Sequence, residues 1–180
     1  MTKANGATKT RARAGAAADA REITKNNRSD SPLLEALQVQ VANSTLLYLN
    51  YKHYHWQTFG PLFRDLHLLF DELATAVLAT IDEFAERIRM IGGDPVADPR
   101  IIMEKATVKI AASNGTMRQM IAEADANVIT VIREMRDGAR LADDSDDPGT
   151  ADLFARNVQI HERHEWFLRD MLEEGDGLVD

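Results

Sequence analysis

The chain predicts an all-α, four-helix bundle with one long crossover, and three observations predict it. Apolar residues recur at helical spacing from residue 32 to about residue 175, with no alternating strand pattern. Breakers at Gly60-Pro61, Gly92-Gly93-Asp94-Pro95 and Asp147-Pro148-Gly149-Thr150 cut that stretch into long segments. Between the second and third segments lies a connection, residues 93 to 115, long enough to run the length of a bundle. At 180 residues and 44% hydrophobic, the chain supplies one core and gives no sign of a second domain.

The elements follow in order. Ser31 before Pro32 is a helix-start signal, and Leu34, Leu37, Val41, Leu47 and Tyr48 carry the first helix to about residue 58. The second begins near Leu62 and stops at Gly92-Gly93, where glycine caps and Pro95 blocks continuation. Within the crossover, IIMEKATVKI predicts a short extra helix. Thr116 and Gln119 form a capping box for the third helix, which runs with Met120, Ile121, Val128, Ile129, Val131 and Ile132 to about Leu141. The fourth starts at Asp147-Pro148 and ends near Gly175. Domain limits follow as a tail at 1–30, a bundle at 31–175 and a short end at 176–180.

The chemistry lies on the first two helices. His55, His67, Asp71, Asp82 and Glu86 are all of iron-ligand type and sit at helical spacings. At about 100° per residue, the last four fall within an arc of roughly 100° on one helix face. Asp71 and Asp82 are nevertheless about 16 Å apart along the axis, at about 1.5 Å per residue. Metal–ligand bonds are only about 2 Å long, so the pairs His67/Asp71 and Asp82/Glu86 cannot close on one ion in one subunit. They serve two separate sites, or a two-fold axis sets the first pair of one subunit opposite the second pair of its neighbour. His55, at the end of the first helix, joins the first pair. Few imidazole and carboxylate ligands with open positions suit iron(II) oxidation better than a closed structural zinc site. Glu83 is assigned a plain i,i+4 ion pair with Arg87.

These residues resemble the Dps miniferritins, the DNA-binding proteins from starved cells, over about residues 31 to 175. The motifs are KHYHW around His55, then His67 and Asp71, then DEFAER with Asp82 and Glu86, the closing GGDP, and GTADLF followed by HERHEWFLRDML. The resemblance implies a ferritin-like bundle with its extra helix in the crossover, assembled as a hollow dodecamer. It implies ferroxidase sites with His55, His67 and Asp71 from one subunit and Asp82 and Glu86 from its two-fold partner. It also implies entry pores lined by Asp147 and Asp152, where carboxylates concentrate cations. Bundle-internal di-iron sites need Glu-x-x-His motifs, and none occurs here. The expected reaction is oxidation of iron(II), preferentially by hydrogen peroxide, with zinc as a competing ion and the ferric product stored.

Other side chains receive smaller roles. Trp56 is expected at the dimer contact and as a radical trap beside His55, with Tyr51 or Tyr54 sharing that task. His164 is a candidate additional ligand, while His161 is read as surface or packing and His53 as solvent-facing. Glu123, Asp125 and Glu134 are candidate cavity-facing carboxylates, and the methionines are read as packing.

Charge is unevenly spread. The first thirty residues carry seven positive charges against three negative, a net of +4, which leaves −12 on the rest of a chain whose net charge is −8. Poor in large apolar groups, they predict a disordered tail whose Lys3, Lys9, Arg11 and Arg13 contact DNA phosphates without sequence preference. A non-enzymatic DNA-compacting protein, or a zinc-inhibited shell, is the alternative. No run of eighteen apolar residues and no apolar leader occurs, so the expectation is a cytoplasmic, nucleoid-associated protein with no membrane partner. There is no cysteine, hence neither disulfide nor thiolate ligand.

Overall fold

The computed structural model describes residues 31–173. The expected tail and C-terminal end, with Lys3, Lys9, Arg11 and Arg13, lie outside the described residues. Among the described residues five helices form: α1 Pro32–Gln57, α2 Phe63–Met90, α3 Pro99–Lys105, α4 Met117–Asp144 and α5 Pro148–Leu172. Among the described residues there is no strand, and no helix is long and apolar enough to cross a membrane.

Local signals set the ends. The Ser31 hydroxyl accepts from the Leu34 amide and Pro32 occupies the first turn of α1. The α4 capping box forms as expected between Thr116 and Gln119. At the end of α2, Gly92 adopts φ +91° while its amide reaches the Arg89 carbonyl and the Gly93 amide reaches that of Ile88. That is a Schellman closure, and only glycine takes the left-handed position without penalty. The α4 terminus repeats the pattern with Asp146 at φ 52°.

Helices α1 and α2 form one antiparallel hairpin and α4 and α5 another, with α1 packed on α4 and α2 on α5. Asn43 donating to Glu134 and Tyr54 to Glu123 fix α1 antiparallel to α4. Tyr51, Tyr54, Phe70, Phe84 and Phe154 are fully buried at the centre. Gly138 exists for that core, since a Cβ there would stand 2.4 Å from the Phe154 ring.

The crossover departs from expectation. Its helix covers Pro99–Lys105, started by the Asp98 carboxylate accepting from the Arg100 amide, and ATVKI is not helical. Three buried asparagines hold that strip instead. Asn43 accepts from the Thr107 amide, Asn50 bridges the Lys109 carbonyl and Ala111 amide, and Asn127 bridges the Lys109 amide and carbonyl. Side-chain amides satisfy backbone that a helix would have satisfied internally.

Candidate metal centre

His55 ends α1 and His67 lies one turn into α2, brought together by a tight corner at Thr58 to Leu62. Thr58 donates its hydroxyl to the His55 carbonyl, and Gly60 takes φ +82°. The imidazoles stack with centroids 3.7 Å apart, and Phe63 lies 5.0 Å from the His67 ring. Each histidine bonds the other's backbone: His55 Nδ1 is 2.6 Å from the His67 carbonyl and His67 Nδ1 is 2.9 Å from the His55 carbonyl. A carbonyl oxygen only accepts, so both Nδ1 atoms carry hydrogen, and in the neutral ring the lone pair is then on Nε2. The fold thereby selects the tautomer a metal ligand needs.

Asp71, one turn beyond His67, points its carboxylate at Lys52, whose Nζ donates at 2.6 Å. That hydrogen bond, followed by the charges of Lys52, His55 and His67, holds the Asp71 carboxyl below the usual range. Lys52 sits one turn before His55–Trp56 in the KHYHW motif and was not singled out from the sequence. With Asp71 turned to Lys52, no three His, Cys, Asp or Glu side chains among the described residues converge on a point where an ion would sit.

Asp82 and Glu86 lie exposed about three and four turns beyond Asp71 along the same unbroken helix. The pairs His67/Asp71 and Asp82/Glu86 share a midpoint: halfway from His67 to Glu86, and halfway from Asp71 to Asp82, is the bond between Ala76 and Val77. Thr75, Leu78 and Ala79 are exposed on that stretch, with Leu78 49% accessible.

Glu83 is not paired with Arg87 as expected. It accepts from Asn157 and lies 3.6 Å from Arg156, while Arg87 crosses to Asp147 at 2.5 Å and to the Thr150 hydroxyl. Asp147 is buried and caps α5, accepting from the Thr150 amide, whereas Asp152 is exposed and paired with Arg156. Trp56 is 67% exposed, with the Lys52 ammonium 6.0 Å from its ring. His53 is half-buried, and its ring meets the Ala112 carbonyl of the crossover in an exposed hydrogen bond. Glu123 accepts from Tyr54 and the Ala112 amide, and Glu134 from Asn43, so both brace the crossover. His161 is not at the surface: it and His164 are buried in the bundle.

A bundle with a long crossover, a helix within it and imidazole–carboxylate pairs at the α1–α2 corner defines a ferritin-like protein. The profile of the ferritin-like domain matches residues 34–178. The chain is 36% identical over 140 residues to the general stress protein 20U of Bacillus subtilis, covering 78% of this chain and 97% of that one. It is 34% identical to a DNA protection during starvation protein of Brevibacillus brevis, covering 76% and 92%. The crystal structure of Dps from Thermosynechococcus elongatus superimposes with a TM-score of 0.80 at 51% identity, covering 82% of this chain and 94% of that chain. The chain belongs to the ferritin-like family and, within it, to the Dps miniferritins.

Proposed function

We propose that this protein oxidises iron(II), preferentially with hydrogen peroxide, at sites shared across a two-fold interface, and stores the ferric product in a hollow dodecamer. His55, His67 and Asp71 come from one subunit, and Asp82 and Glu86 from its partner. The observation that carries the reading is the reciprocal Nδ1–carbonyl bonding of His55 and His67, part-buried at a corner, which leaves both Nε2 atoms free to take a metal.

The common midpoint of the two ligand pairs supports sharing. Two antiparallel copies of α2 crossing at Ala76–Val77 set His67 opposite Glu86 and Asp71 opposite Asp82, twice over, as an isologous contact requires. The exposed Leu78 and Ala79 would close that contact. Iron(II) enters as substrate. Two ions give one electron each, the O–O bond of peroxide breaks, and two protons complete two waters. Paired oxidation avoids the one-electron step that releases hydroxyl radical. As iron binds, Lys52 is displaced from Asp71, and the Trp56 ring beside His55 intercepts stray radicals. Zinc competes for the same ligands. Asp152 offers its carboxylate to an entry pore whose backbone Asp147 shapes by capping α5. The protein protects DNA in the cytoplasm by removing both reactants.

Anaerobic iron(II) with limiting peroxide tests this, with ferric absorbance followed in the wild type and in a His55→Ala, Asp82→Ala variant. Rapid oxidation to a soluble product only in the wild type is expected; equal rates would overturn the catalytic reading. A second reading, DNA compaction by the tail through Lys3, Lys9, Arg11 and Arg13, rests on the +4 against −12 charge division. Removing residues 1–30 would then abolish DNA retention and leave oxidation intact.

A further inference from the structure

The bundle interior holds a polar cluster that the shared site does not use. Helix α5 turns His161 and His164 inward, 0% and 4% accessible, with ring centroids 5.7 Å apart. Tyr51 of α1, 0% accessible, meets His164 edge-on at 6.0 Å. Both His161 nitrogens, His164 Nδ1 and the Tyr51 hydroxyl are buried with no hydrogen-bond partner. On α4, the half-buried Asp125 also leaves one oxygen unpartnered, and it lies near enough to Tyr51 to help raise the phenol's pKa.

Burying a polar atom without a hydrogen-bond partner is unfavourable, and five such atoms gathered in one cluster favour an occupant that satisfies them. Both rings are sealed from solvent, where the neutral imidazole with its lone pair is the favoured form. The i,i+3 spacing of His161 and His164, aimed inward, is the spacing by which bundle helices present paired ligands to one core ion. Centroids 5.7 Å apart are compatible with two imidazoles sharing an ion at about 2 Å from each nitrogen. No third His, Cys, Asp or Glu joins them among the described residues, which leaves the Tyr51 oxygen as the third donor.

We propose that His161, His164 and Tyr51 form a bundle-core site for one divalent cation of the zinc, cobalt(II) or iron(II) class, with Asp125 offsetting its charge. Two nitrogens and one oxygen suit these borderline ions better than calcium or magnesium. The site is intrasubunit and independent of the reading of the α1–α2 corner.

The test uses the full chain carrying His55→Ala and Asp82→Ala, which removes ligands from both corner half-sites, produced in cobalt-supplemented medium and dialysed. Metal content and cobalt(II) visible absorption are read. About one cobalt per subunit with intense tetrahedral bands is expected. Adding His161→Gln and His164→Gln should abolish both signals. Tyr51→Phe, which preserves the ring, should keep the far-ultraviolet circular dichroism and lose cobalt to a chelator at least about tenfold faster. It carries the test if the histidine variant does not fold. No retained cobalt in the parent, or retention unchanged in Tyr51→Phe or the histidine variant, would overturn the proposal and leave buried water as the occupant.

Discussion

Gly138→Ala sets two effects of opposite sign against each other. Alanine inside a helix is about 1 kcal/mol more favourable than glycine, so on a free α4 the change would stabilise. Here the new Cβ would stand 2.4, 2.6 and 2.8 Å from three carbons of the Phe154 ring. Carbon atoms pack at about 3.5–4 Å, so the ring must retreat by about 1 Å. It has nowhere to go, being 0% accessible and backed by Phe84, itself 0% accessible, at 5.5 Å. Overpacking of this kind costs about 1–3 kcal/mol, and three simultaneous contacts argue for the upper end. The net expectation is destabilisation by about 1–2 kcal/mol, a melting-temperature loss of about 2–8 °C for a chain of this size. Thermal unfolding followed by circular dichroism at one fixed subunit concentration measures it. In a Phe154→Leu background the clash is relieved, and Gly138→Ala should become neutral or stabilising, a coupling of about 2 kcal/mol. A wild-type-background Gly138→Ala that melts at or above the parent temperature would refute the packing argument. The effect should also reach the site, because Phe84 lies on α2 between Asp82 and Glu86.

Four further outcomes are expected. In metal-stripped protein, stability should fall as pH drops below about 6.5: the unfolded histidines take protons that His161 and His164 refuse until about 3 and about 4, so the unfolded state binds more protons. This amounts to roughly 2 kcal/mol per histidine at pH 5; urea midpoints at pH 7.5 and pH 5 check it, and the slope should shrink when both are glutamine. Asp146→Gly should raise stability by about 0.5–1 kcal/mol, since Asp146 holds φ 52° at a position glycine occupies freely; an unchanged melting temperature would show that aspartate pays nothing there. Asn43→Ala removes the Asn43 contacts with the Thr107 amide and Glu134 and should cost about 2–3 kcal/mol in denaturant unfolding. Leu78→Arg should abolish peroxide-driven iron oxidation by splitting the two-fold contact, read beside sedimentation; full activity in the variant would remove Leu78 from the interface.

Helix periodicity, caps and breakers are local, so the four long helices and the crossover helix were legible in the chain within a few residues. The placement of His67, Asp71, Asp82 and Glu86 on one helix was legible for the same reason, since register is a property of one helix. Partner choice is not local. The Glu83–Arg87 spacing is right for an exposed pair worth about 0.3–0.5 kcal/mol, but Arg87 instead finds a buried capping carboxylate, where charged hydrogen bonds are worth about 1.5–3 kcal/mol. ATVKI has helical character, yet asparagines on two distant helices outbid it. Lys52 escaped notice because nothing in the sequence says which of several carboxylates it meets.

The buried histidines teach the opposite lesson. His161 and His164 stand among Glu162, Arg163 and Glu165, and composition alone places them at the surface. Angular position does not: at about 100° per residue, Asn157, His161, His164 and Leu168 fall within about 60° of one another. All four are buried. Leucine at one end of that stripe marks the whole face as core, so the histidines in it are core residues, and core imidazoles without partners favour an occupant, water or ion. The corner histidines need none, because each other's carbonyls already satisfy Nδ1 and only the lone pairs remain to be used. The two pairs thus divide by hydrogen-bond completeness: at the corner each Nδ1 is satisfied by a backbone carbonyl, whereas in the core both His161 nitrogens and His164 Nδ1 are sealed without a partner.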